Sequence, residues 1–156
     1  MAIRAPTAGD VDDAVITGTF RKVGGPPGGG YGLVVNDARA GAGDGLDQKG
    51  QFIVAGIGDQ GEVGIWRRDI DRWVDLVPWT ASASVHPGGA PNELTVDLSG
   101  RHLRFDVNGV EVASIDAPLA EGRIGIFVGG DLNHVVVDRL GLTPRGAPGQ
   151  QQLPAV

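Results

Sequence analysis

Residues 92–115 read "NELTVDLSGRHLRFDVNGVEVASI", and this stretch decides the fold. Apolar and polar residues alternate along it with the period of a half-buried strand, broken at Ser99-Gly100 and again at Asn108-Gly109. An Asn-Gly pair between alternating runs is the preferred two-residue hairpin turn, because both positions tolerate positive φ. The turn sets an expected register, with Val107 opposite Val110, Phe105 opposite Val112 and Leu103 opposite Ser114 on one face. Asp106, Glu111, Arg104 and Ala113 take the other. One face is then core and the other is wet.

Outward from this hairpin the same alternation recurs between glycine clusters. The 27 glycines and 10 prolines are scattered among short apolar runs, which implies many turns and few helices. Runs 13–23, 31–36, 51–58, 62–68, 73–79, 92–98, 101–107, 110–115, 123–129 and 134–142 read as strands. Short strands with one apolar face each, separated by turns, predict an all-β chain folded as an antiparallel two-sheet β-sandwich. At 156 residues one domain is expected. It spans 13–142, after an extended segment 1–12 and before a polar tail or linker, "TPRGAPGQQQLPAV", at 143–156.

Charge narrows the partners. With 13 basic and 19 acidic residues the net charge is -6, which argues against nucleic acid and against an anionic membrane surface. No apolar run approaches the roughly 18 residues that would span a bilayer, and "MAIRAPTAGDVDDAV" lacks the apolar middle of a signal peptide. The absence of cysteine excludes disulfides and thiolate metal sites.

Residues 92–115 followed by "GRIGIFVGG" (122–130) resemble the concanavalin A-like lectin/glucanase superfamily, especially its laminin-G-like and bacterial 3-keto-disaccharide-hydrolase-like branches. The shared order is a strand, a glycine turn, a strand ending in an Asn-Gly hairpin, and a G-x-[IV]-G-[LIF] strand. "YGLVVND" (31–37) and "WVDLVPWT" (73–80) are similar to the same modules, so the likeness covers roughly residues 14–142. The resemblance implies a jelly roll whose concave face serves glycans in many members and proteins in others, and an extracytoplasmic setting. Departures accompany it. The E-x-D-x-x-E strand of the glucanases is missing, since Glu62, Glu93, Glu111 and Glu121 each stand alone. The legume-type metal loop is absent, and the usual first strand is missing or reduced to "MAIRAPTAGD".

All three tryptophans fall within "VGIWRRDIDRWVDLVPWT" (63–80). A hairpin with the four-residue loop "DIDR" would pair Arg68 with Trp73 and set Trp66 opposite Asp75. Glu62, Gly64, Trp66, Arg68, Trp73, Asp75, Val77 and Trp79 would then share one face, leaving Val63, Ile65, Val74 and Leu76 to the core. Aromatic faces beside a carboxylate and a guanidinium are what a glycan platform needs, so Trp66, Arg68, Trp73, Asp75 and Trp79 are the candidate ligand-binding residues. The alternative is that the tryptophans cap the sandwich edge.

Other motifs carry less. Asp44 and Asp47, in "GAGDGLDQKG", offer oxygen ligands for calcium but not at EF-hand spacing, and a solvated turn explains them as well; no other cofactor is expected. Asp131 and Asn133 form a second such turn. His86, His102 and His134 lie far apart, and neither a zinc motif nor a nucleophile–base pair is signalled. "GGPPGGG" (24–30) is no phosphate loop, but a connection so unusual could line one end of a cleft. Glu62 with Asp75, or Asp106 with Glu111, are the acid pairs a glycosidase would require. Three functions therefore compete. The first is a non-catalytic module binding a glycan or protein surface. The second is a structural subunit of a larger assembly, docked through its edge strand and tail, and the third is a glycoside-processing enzyme.

Overall fold

The computed structural model describes residues 2–3, 13–37, 50–70, 72–116, 123–130 and 132–144. The strands are β1 (Ala2–Ile3), β2 (Ala14–Gly24), β3 (Gly30–Asp37), β4 (Gly50–Gly58), β5 (Glu62–Ile70), β6 (Arg72–Ala81), β7 (Asn92–Ser99), β8 (His102–Val107), β9 (Val110–Asp116), β10 (Arg123–Gly129) and β11 (His134–Pro144). They form two antiparallel sheets, one in the order β1-β10-β3-β4-β5-β6 and the other β11-β2-β7-β8-β9. The expected β-sandwich is what the chain forms. Ala2–Ile3 pairs with Phe127 and Ile126, so a two-residue strand lies along the β10 edge that the reduced first strand left in question.

The alternation does the folding. Along β2, Ala14, Ile16 and Phe20 are fully buried while their neighbours are half-exposed. A Cβ on Gly18 would stand 2.5 Å from the Phe20 ring, so glycine here makes room for phenylalanine. Leu33, Ile57 and Ile65 from the first sheet meet Leu94, Val96, Leu98, Leu103, Phe105 and Val107 from the second in one core. Each such side chain stabilises the fold by about 1.5–3 kcal/mol relative to exposure.

Asn108 and Gly109 have φ of 52° and 81°, the two left-handed positions that the hairpin requires. Val107 pairs with Val110 and Asp106 with Glu111, as the turn predicts. Beyond them the register slips by one residue, so Phe105 pairs with Ala113 and Leu103 with Ile115, not with Val112 and Ser114. The extra residue is a β-bulge on an edge strand. It turns Ile115 toward the core and Ser114 to the outside, which buries the apolar residue of the two.

A buried polar clasp closes one end. Asn92, 1% exposed, donates to the Tyr31 hydroxyl (2.9 Å) and the His86 carbonyl (2.8 Å), and accepts from the His86 N–H (2.8 Å) and the Asn108 amide (2.9 Å). Asn108 also donates to the Ser84 carbonyl at 2.7 Å, tying the loop between β6 and β7 to the hairpin. Tyr31 stacks on Phe20 at 5.1 Å. Nearby, Lys22 and Asp59 form a buried ion pair, and Asp59 accepts the Gly28 N–H at 3.0 Å. That pair pins the "GGPPGGG" turn against the β4–β5 turn.

Burial pushes the Tyr31 phenol above its ordinary value; the Asn92 bond pulls the other way and the Asp59 charge adds to the rise. A group raised in the folded state contributes fully below its unfolded value, about 10, and loses that contribution as pH rises through the folded value. Tyr31 is the sole tyrosine. Ultraviolet difference absorbance should therefore show tyrosinate forming only together with alkaline unfolding. Free ionisation near pH 10 in a folded chain would contradict this placement.

Candidate ligand-binding cleft

The β5–β6 hairpin is tighter than expected. Asp69 pairs with Arg72, so the ladder runs one pair closer to the turn than a four-residue "DIDR" loop would allow. The register nevertheless keeps Arg68 opposite Trp73 and Trp66 opposite Asp75. It then shifts, and Ile65 meets Val77, so Val77 packs partly against the core and does not stay wholly on the tryptophan face. Trp79 returns to that face, beside Gly64. Pro78 is tolerated because β6 is an edge strand.

The outer face of the six-stranded sheet has two halves. Val34, Phe52 and Val54 are buried in one, beneath the partly exposed rings of Trp66 and Phe127. The other half is glycine. Gly32 pairs with Gly56 and Gly56 with Gly64, while Gly30 lies between Gly58 and Gly129. Where strands lack side chains the rings settle on the backbone, Trp66 on Gly56 and Trp79 beside Gly64, and the glycines that line the cleft are Gly28, Gly30, Gly129 and Gly130. A ligand can approach the backbone there.

Trp66 stands at the boundary. Its ring centroid lies 5.1 Å from Trp79, 5.5 Å from Phe127 and 6.4 Å from Trp73. Trp73 meets Phe52 edge-on at 5.8 Å and carries the Arg68 guanidinium 5.0 Å from its ring centre. Trp73 is 39% and Trp79 53% exposed, so two of the three present open faces to solvent. The cleft they frame has a volume of about 390 Å3, with Asp75 on its wall and Gly28, Gly30, Gly129 and Gly130 at its glycine end. Asn133 fixes that end by donating to the carbonyls of Gly30 (2.9 Å) and Gly129 (2.8 Å). Of the candidate residues, Trp66, Trp73, Asp75 and Trp79 line the cleft, and Arg68 lies behind Trp73. Phe127, Gly129 and Gly130 were not singled out from sequence, whereas the "GGPPGGG" connection was, and its Gly28 and Gly30 line one end of the cleft.

No family model matches the chain, and comparison with curated sequences gives no match. Solved structures do match. The carbohydrate-binding module CBM66 of Bacillus subtilis superposes with a TM-score of 0.69 at 13% identity, covering 92% of each chain. The fold is the concanavalin A-like jelly roll. The Caenorhabditis elegans galectin LEC-6 shares the jelly roll with a TM-score of 0.61 at 12% identity, covering 92% of this chain and 91% of the galectin. A GH43 protein of Bacillus licheniformis, BlXynB, matches at 0.55 and 12% identity over 85% of this chain and 27% of its own.

Other candidates fall elsewhere on the jelly roll. Glu62 sits four residues along β5 from Trp66, the partner of Asp75, or about 13 Å of strand. Asp106 and Glu111 are cross-strand neighbours, as expected, and both pair with Arg104, whose guanidinium they hold above its ordinary pKa, Asp106 foremost. The bulge does bring a nucleophile–base array together, against expectation: Ser114 Oγ lies 2.7 Å from His102 Nε2, and His102 Nδ1 lies 2.8 Å from Asp116. These side chains are on an open strand face, with His102 47% and Asp116 84% exposed, and they stitch the ends of β8 and β9. Asp44, Asp47 and Asp131 lie outside the described residues. Among the described residues no cluster of three or more His, Asp or Glu side chains could hold a metal, and no helix is long and apolar enough to cross a membrane.

Denaturant unfolding should separate the tryptophans. Trp66→Ala should cost about 3 kcal/mol by emptying the seat between Phe127 and Val54, and Trp79→Ala less than about 1 kcal/mol. The reverse order would contradict this arrangement.

Proposed function

We propose that the chain is a non-catalytic glycan-binding module that holds a sugar in the tryptophan cleft. The observation that carries this reading is the pair of exposed indoles, Trp73 and Trp79, framing a cleft that ends in glycine backbone. A sugar ring has one C–H-rich face, which an indole covers well, and a rim of hydroxyls, which Asp75 and the exposed strand backbone can engage. The cleft volume of about 390 Å3 lies within the usual range for small-ligand sites, roughly 300–1,000 Å3. Two solved jelly rolls with this architecture are described as a carbohydrate-binding module and a galectin, which favours a sugar over other small ligands.

Catalysis fits less well. The backbone positions of Glu62 and Asp75 are about 13 Å apart along the strands, against the roughly 5–9.5 Å that separates glycosidase carboxyl groups.

Isothermal titration against a panel of oligosaccharides tests the reading. One sugar class should bind. The double variant Trp73→Ala/Trp79→Ala should weaken that binding at least about tenfold while changing stability little, since both rings are exposed. A panel with no binder, or a double variant that binds as the parent does, would sink the proposal and turn attention to a protein partner.

A further inference from the structure

Among the described residues, the cleft is lined by aromatic rings, glycine backbone, Val77 and one ionisable side chain, Asp75. Asp75 is exposed and faces the cleft from β6, opposite Trp66. Among the described residues it makes no salt bridge and no side-chain hydrogen bond, whereas Asp59, Asp69, Asp106, Asp116 and Asp138 are all paired. A lone carboxylate amid indole faces suits one kind of group. The ring quadrupole attracts a cation, and a carboxylate accepts a charge-assisted hydrogen bond from an N–H donor. The Arg68 guanidinium approaches Trp73, a ring that also lines the cleft, to 5.0 Å, so one of these indoles already holds a cation. The net charge of -6 favours the approach of a cation over that of an anion.

We propose, granting that the cleft takes a sugar, that its ligand is a glycan bearing a free protonated amine, an unacetylated amino sugar. The apolar face of the pyranose would lie on Trp73 or Trp79 while its ammonium meets Asp75. Acetylation removes the charge and two of the three donors. A uronic acid would place like charge against Asp75. A neutral sugar keeps the stacking and forgoes the charged contact.

Three glucose-type oligomers of equal length make the probes: fully deacetylated, fully N-acetylated, and unsubstituted. Each is titrated into the parent chain, Asp75→Asn and Glu93→Gln at physiological salt. Glu93→Gln removes the same charge from an exposed position on β7, in the other sheet. The deacetylated oligomer should bind the parent and Glu93→Gln at least about tenfold more tightly than the other two. Asp75→Asn should abolish that preference, the deacetylated oligomer losing about tenfold more affinity than the unsubstituted one. The substitution is isosteric and exposed, and a thermal melt matching the parent confirms its fold. A parent that binds all three alike overturns the amine inference and leaves the glycan reading standing. Equal losses in Asp75→Asn and Glu93→Gln overturn it too, by assigning the preference to general attraction toward an acidic chain. If none of these and no other sugar binds, both readings fall.

Discussion

The seating of Trp66 on the outer face of the six-stranded sheet is the contact on which the cleft depends. Its ring covers Val54 and leans on Phe127, and it approaches the backbone of Gly56, where a Cβ would lie 3.0 Å from the indole. An outer sheet face is ordinarily polar. Here it carries a second small apolar layer whose surface is aromatic, and Trp73 and Trp79 are held by packing on Trp66 from either side. Rings fixed in this way lose little rotamer freedom when a ligand arrives, which preserves affinity.

One-residue slips in two hairpins decide which side chains face where. In β5–β6 the shift between Trp66 and Ile65 sends Val77 toward the core, and a second between Ile65 and Val63 brings Trp79 beside Gly64. In β8–β9 the bulge buries Ile115 and exposes Ser114 to His102. Both are edge hairpins, where one partner strand is missing and the backbone can add a residue without disturbing a second ladder. Each slip exchanges a polar residue for an apolar one at the core, or an aliphatic for an aromatic one at the surface.

Much of this was legible in the residues. Period-two alternation located the sandwich strands, Asn108-Gly109 fixed the first pairs of its hairpin, and the Arg68–Trp73 and Trp66–Asp75 pairs followed from centring a hairpin on "DIDR". The slips were not legible, because a bulge depends on which face of the finished sheet is buried and not on local turn chemistry. Phe127 lies 61 positions beyond Trp66 and reaches it only through sheet order, with β3 and β4 between their strands. The sheet glycines were visible as composition and read as turns. That Gly56 and Gly64 seat the indoles appears only when Gly32, Gly56 and Gly64 line up across three strands.

The most direct measurement is a two-dimensional amide correlation spectrum of the labelled chain, following its three indole N–H signals during titration with the tightest-binding oligosaccharide. The signals are assigned by single Trp→Phe substitutions. The account predicts that Trp73 and Trp79 shift most, with Trp66 following through their contact, while backbone signals of β8 and β9 on the opposite sheet stay in place. Saturating sugar that leaves all three indoles unmoved, or moves only the β8–β9 face, would contradict it.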